Sequence, residues 1–168
     1  MSEAPTSTGR EPRLVFVHAD EIPRQEVVAQ QHGDTRVSVW FRFLEFTDRR
    51  MVGLVDYDPG LVLERHQHKS DHTIFIIDGE VTISGHLCPP GTLIVLEQGA
   101  EFGPIVAGPN GCRLLEHYAG DPMPVPVDKD EYYAILAERG IDRLPNPRYI
   151  PPEGAPNYAY DGSSDVVS

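Results

Sequence analysis

No apolar run in the sequence approaches the roughly 20 residues that cross a bilayer as a helix. The longest strong ones are residues 74–77 and 93–96. Cysteine is nearly absent. Cys88 and Cys112 are too few for a disulfide scaffold and form no CxxC pair, so they read as two reduced thiols of a cytoplasmic protein. Positive charge is scarce: 14 Lys and Arg stand against 26 Asp and Glu, a net charge of −12. Such an excess repels phosphate backbones and anionic lipid, which removes nucleic acid and membrane surfaces as general partners. The first twelve residues are polar, lack a signal-peptide core and are expected to be disordered. There is no GxGxxG after a strand, no GxxxxGK[ST] and no GxSxG, so nucleotide-dependent and serine-hydrolase chemistry have no support.

Glycine and proline, by contrast, are plentiful, at 15 and 16 residues, and they recur at short intervals between Gly53 and Gly120. Clusters such as Asp58-Pro59-Gly60, Pro89-Pro90-Gly91 and Gly103-Pro104 are turn signals. Between them, residues 37–46, 51–57, 73–77, 81–84, 92–96 and 113–118 are rich in Val, Ile, Leu, Phe and Thr and read as strands. Tight turns are expected at Asp78-Gly79, at Ser84-Gly85-His86 and over 108–111. The rhythm predicts an all-β antiparallel roll of about eight strands over residues 13–120, with no internal repeat. Residues 121–126 read as a proline-spaced extended segment, and 128–140 as one helix capped by Asp128 or Asp130 and stopped by Gly140. Residues 145–168 form a Pro- and Tyr-rich tail whose Tyr149, Tyr158 and Tyr160 are placed to anchor it to the body or to a neighbouring subunit.

Three of the seven histidines fall within His66-Gln67-His68-Lys69-Ser70-Asp71-His72. On an extended strand, positions of equal parity share a face, so His66 and His68 point the same way. His72 joins them if the strand continues through Ser70-Asp71. Three neutral imidazoles on one concave face suit a divalent metal and leave positions open for water or substrate. His86 at a hairpin tip, and His18 and His32 near the N-terminus, carry no such spacing. Gln98 and Glu101 fit exposed turn positions equally well.

Gly60, five residues, His66-Gln67-His68, three residues, His72, six residues and Gly79 resemble the first motif of the cupin superfamily, G-x5-H-x-H-x3/4-E-x6-G, with His72 in the glutamate position. The second motif, G-x5-P-x-G-x2-H-x3-N, is degraded. Gly99 fits, but Glu97 replaces the proline, Phe102 the histidine ligand and Val106 the asparagine. The resemblance spans about residues 51–118. It implies a jelly-roll β-barrel, commonly a homodimer, with a metal inside.

The expected site therefore has His66, His68 and His72 as ligands of a divalent ion, Fe(II) favoured, with Zn, Mn or Ni as alternatives. A replacement fourth ligand would come from the strand over 113–118. One parity turns Arg113 and His117 inward, the other Glu116 and Tyr118; all four are acid/base or orienting candidates. Trp40, Phe41, Phe43, Ile74, Ile76, Phe102 and Leu114 supply an apolar wall. Such a wall suits a small, mostly apolar carbonyl or enol compound better than a sugar phosphate. Oxygenase chemistry is the favoured expectation. A redox-neutral cyclase, isomerase or lyase and a non-catalytic small-molecule-binding barrel are the alternatives.

Overall fold

The structure, a computed structural model, describes residues 11–158. After a one-turn 3-10 helix at Ala19–Glu21, eleven strands and one α-helix follow in order. They are β1 (Gln25–His32), β2 (Thr35–Phe46), β3 (Met51–Tyr57), β4 (Val62–Leu63), β5 (His66–His68), β6 (His72–Ile83), β7 (His86–Cys88), β8 (Leu93–Leu96), β9 (Ile105–Tyr118), β10 (Pro124–Pro126), α1 (Asp130–Arg139) and β11 (Ile141–Arg143). Nine strands make one antiparallel sheet in the order β11-β1-β2-β3-β9-β6-β7; β4 pairs with β9 and β8 with β6. β5 and β10 form a separate two-stranded ribbon. The fold is the all-β cupin jelly roll with a C-terminal helix, and the expectation for its class holds.

Strict alternation drives this wrapping. Along β3 every second residue, Met51, Gly53, Val55 and Tyr57, is buried. Met51, Val55 and Tyr57 join Phe41, Phe43, Ile74, Ile76 and Leu114 in a single core, since equal parity sends them to the inner face. The end of β9 obeys the same rule, with Leu114, Glu116 and Tyr118 buried.

Two expected turns are instead bends. The chain passes through Asp78-Gly79 as one strand, with register shifts between Ile76 and Asp78 and between Gly79 and Val81. Residues 108–111 likewise lie within β9. Gly79 (φ 70°) and Gly111 (φ 75°) face each other, and a Cβ on Gly79 would lie 2.1 Å from the Gly111 carbonyl oxygen. Two paired strands fold the corner of the barrel together there, which requires glycine. A true hairpin does occur at Ser84-Gly85, both at positive φ, between Ile83 and His86.

α1 is shorter than its sequence window at both ends. Asp128 Oδ1 accepts the Asp130 amide at 2.9 Å, and Gly140 takes the left-handed stop. Tyr132 and Leu136, one helical turn apart, pack on Val62 and Ile141. In the tail, Tyr149 stacks on Phe43 and Tyr158 on Phe46, at 5.3 and 6.1 Å between centroids. The tail is thus anchored to the chain's own barrel. Residues 1–10 and Tyr160 lie outside the described residues. Cys88 and Cys112 are buried free thiols, and among the described residues no helix is long and apolar enough to cross a membrane.

Candidate metal centre and cavity

β5 and the start of β6 bring the three histidines side by side. The ring centroids of His66 and His68 are 4.9 Å apart, and those of His68 and His72 also 4.9 Å, both pairs edge to face. The Pro124–Pro126 strand pairs with His66–His68 from the other side. Phe102 is held directly opposite His66 by two 3.0 Å backbone hydrogen bonds, one in each direction. Its ring lies 4.4, 5.8 and 5.9 Å from the rings of His66, His68 and His72. The residue that replaces the second-motif histidine thus sits among the three imidazoles.

The electrostatics favour neutral imidazoles. Burial pushes His68 down to about 3, helped by neighbouring His66 and opposed by the nearby Pro122 and Met123 carbonyls. Burial and the adjacent histidines push His72 down to about 2. Both ring nitrogens of His68 and both of His72 are buried without a well-formed hydrogen bond. Such orphaned groups cost about 1–3 kcal/mol each unless something else satisfies them. His66 differs: its Nδ1 donates to the Glu64 carbonyl at 2.9 Å, which leaves Nε2 with the free lone pair.

Neutral, desolvated nitrogens of this kind fit a divalent cation by donor chemistry. The positions are not fully set for one. Among the described residues, no three His, Cys, Asp or Glu side chains converge on a single point. His72 stacks flat on Tyr118, 3.9 Å between centroids. Binding by all three imidazoles requires the rings to rotate.

A cavity of about 830 Å³ opens beside the cluster. His66, His68 and Phe102 lie on its wall, with Phe41, Phe43, Val39, Val55 and Ile105. His72 lies behind this wall. Of the expected apolar residues, Ile74, Ile76 and Leu114 are packed core rather than wall. Trp40 faces outward, bonded through Nε1 to Asp58 at 3.1 Å and covered by Arg24.

The parity of β9 settles which candidates meet the cavity. Arg113 points outward and pairs with Asp56 at 2.7 Å, and His117 alternates outward with it. Neither reaches the interior, contrary to the first parity considered. Glu116 and Tyr118 are on the wall. Tyr118 Oη donates to Glu116 Oε2 at 2.9 Å, and Tyr57 Oη donates to Oε1 at 3.4 Å. Burial raises the Glu116 carboxyl to about 7, and the two tyrosine hydrogen bonds hold it below what burial alone would impose. Tyr57 was not singled out by the sequence pattern. Its signal was the alternation along β3, which places it on the same face as Gly53, itself paired with Glu116.

Residues 18–118 match the family described as the ChrR Cupin-like domain. The chain belongs to this family of cupins. No curated protein matches it. Among solved structures, it is similar to the polyketide cyclase RemF from Streptomyces resistomycificus (20% identity, 76% of this chain and 97% of that one, TM-score 0.57). It is also similar to a putative acetylacetone dioxygenase from Methylibium petroleiphilum (11% identity, 72% and 85%, TM-score 0.59). A third is an RmlC-like cupin from Shewanella frigidimarina (16% identity, 66% and 94%, TM-score 0.54). At these identities the likeness establishes the fold.

Proposed function

We propose that this cupin is an enzyme that moves protons on a small, mostly apolar carbonyl or enol compound held in the 830 Å³ cavity. The observation that carries the reading is Glu116. A carboxyl buried on an apolar wall, hydrogen-bonded to two tyrosines and held near 7, exchanges its proton at neutral pH. A general base of this kind takes the proton alpha to a carbonyl and returns it elsewhere, which is the step common to isomerisation, cyclisation and elimination. Tyr118 and Tyr57 hold the carboxylate oxygens in place. Phe41, Phe43 and Phe102 exclude water and contact the apolar body of the substrate.

His66, His68 and, after ring rotation, His72 would hold a divalent ion, which supplies Lewis-acid polarisation of the carbonyl when bound. The oxygenase reading stands second, supported by the unpartnered nitrogens of His68 and His72. The named activities of the two structural neighbours, a cyclase and a putative dioxygenase, match these two chemistries.

The test is deuterium exchange at the alpha position of 1-phenylbutane-1,3-dione, followed by NMR in D₂O with zinc-loaded protein. The proposal expects exchange well above the buffer rate and no oxygen uptake. Oxygen consumption by iron-loaded protein, without accelerated exchange, would put the second reading first.

A further inference from the structure

Arg143 is a cation on the wall of a largely apolar cavity, and among the described residues it has no anionic partner. It lies on β11, the edge strand, where it pairs with Gln30 of β1. Cross-strand partners share a face, and Gln30 faces inward, fully buried, with its side chain bonded to the Val62 backbone. Arg143 is therefore turned to the interior side of the sheet. Its Nη1 donates to Tyr133 Oη at 3.1 Å, and its guanidinium lies 6.0 and 5.9 Å from the Tyr132 and Tyr133 ring centroids. These contacts orient the fork without neutralising it.

Seven other arginines, Arg13, Arg24, Arg36, Arg42, Arg50, Arg65 and Arg113, each pair with a carboxylate. A second cation, Arg148, also lines the cavity, but it is exposed, whereas Arg143 is half-buried and held by the Tyr133 hydroxyl. Among the described residues, no carboxylate lies within ion-pair distance of Arg143. The nearby wall residue Glu64 is engaged by Lys129 at 3.4 Å. In a chain with 26 acidic and 14 basic residues, an oriented and unneutralised guanidinium on a cavity wall is a place for an anion from outside.

We propose that Arg143 is a specificity-determining residue that receives a carboxylate, so that the compound filling the cavity is an aromatic or otherwise apolar acid. This rests on the cavity being the binding site. The apolar body lies along Phe41 and Phe43, and the carboxylate accepts hydrogen bonds from the Arg143 fork.

The test uses a matched pair of probes, 2-naphthoate and 2-naphthamide, which differ in charge but hardly in shape. Binding to the full chain is measured by titration calorimetry. Wild type is expected to favour the carboxylate by about tenfold or more, the scale of a charge-assisted hydrogen bond. Arg143→Gln is expected to abolish the preference and leave amide binding unchanged, while Arg143→Lys keeps part of it. Equal affinity for both probes in wild type overturns the Arg143 assignment but leaves the cavity reading intact, and this comparison needs no variant to fold. A preference that survives Arg143→Gln and disappears in Arg148→Gln moves the anion to the exposed Arg148 at the cavity rim and also overturns it. Failure of both probes to bind overturns the cavity reading and the assignment together.

Discussion

The Tyr118 hydroxyl donates to Glu116 Oε2 at 2.9 Å, although the two residues are neighbours of equal parity on one strand. The bond ties the buried carboxylate to the ring that stacks on His72. Acid/base group, positioning tyrosine and imidazole cluster therefore form one connected unit. A change in any member is expected to be felt by the next.

Glu116 should make stability fall as pH rises. Its carboxyl is held up to about 7 in the folded chain against an ordinary value of 4.5. Between those values the folded state keeps a proton that the unfolded state releases. Its contribution is complete below pH 4.5 and is lost as pH rises toward 7, on the order of 3 kcal/mol in all. Glu116→Gln, which imitates the protonated form, should remove this component. Urea unfolding at pH 5 and pH 8 checks it: the variant should gain stability relative to wild type at pH 8.

Tyr118→Phe should move Glu116 further from its ordinary value. The hydroxyl stabilises the ionised carboxylate, so its loss raises the carboxyl above about 7. The stacked ring on His72 is kept. NMR titration of ¹³C-labelled glutamate should show the upward shift, and the pH profile of deuterium exchange should move the same way.

Divalent-ion binding should respond to residue 102 in a direction that simple damage cannot produce. Phe102 packs against all three imidazoles. Phe102→His adds a donor there and should raise Zn²⁺ affinity above wild type. His66→Ala, His68→Ala and His72→Ala should each lower it by more than the roughly 10–100-fold typical of lost outer-shell contacts. Calorimetry against a competing chelator measures all four. Unchanged affinity in His72→Ala would leave His72 as a packing partner of Tyr118.

Gly79→Ala should be among the most damaging single substitutions in the barrel. Its φ of 70° disfavours a side chain, and the new Cβ would meet the Gly111 carbonyl, which is backbone and cannot step aside. A loss of at least about 2 kcal/mol is expected in denaturant unfolding. Gly85→Ala, at φ 77° with open space around it, should lose less.

The parts of this fold that were legible in the sequence are those governed by local alternation. The strand Met51–Tyr57 follows directly from period-two patterning, as does the shared cavity face of His66 and His68. His72 does not: the strand breaks after His68, and His72 begins another strand in the other sheet, so its closeness comes from the chain's path. Asp78-Gly79 misled because the same dipeptide serves a hairpin and a bend. What separates them is the opposing Gly111, a long-range partner that no local window contains. The parity of β9 was undecidable locally, since Arg113, Glu116, His117 and Tyr118 offer polar groups to both faces. Pairing with β3 and β6 settles it. Arg143 escaped notice because its strand is only three residues long and owes its place to pairing with Gln30.

The most direct measurement of the central claim is the deuterium-exchange rate of Glu116→Gln against wild type, each loaded with zinc and shown by circular dichroism to be folded. Loss of a general base typically lowers a rate by about 10²–10⁴-fold. The account predicts a loss on that scale with ligand binding retained. Equal rates in the two proteins would contradict it and remove Glu116 from the chemistry.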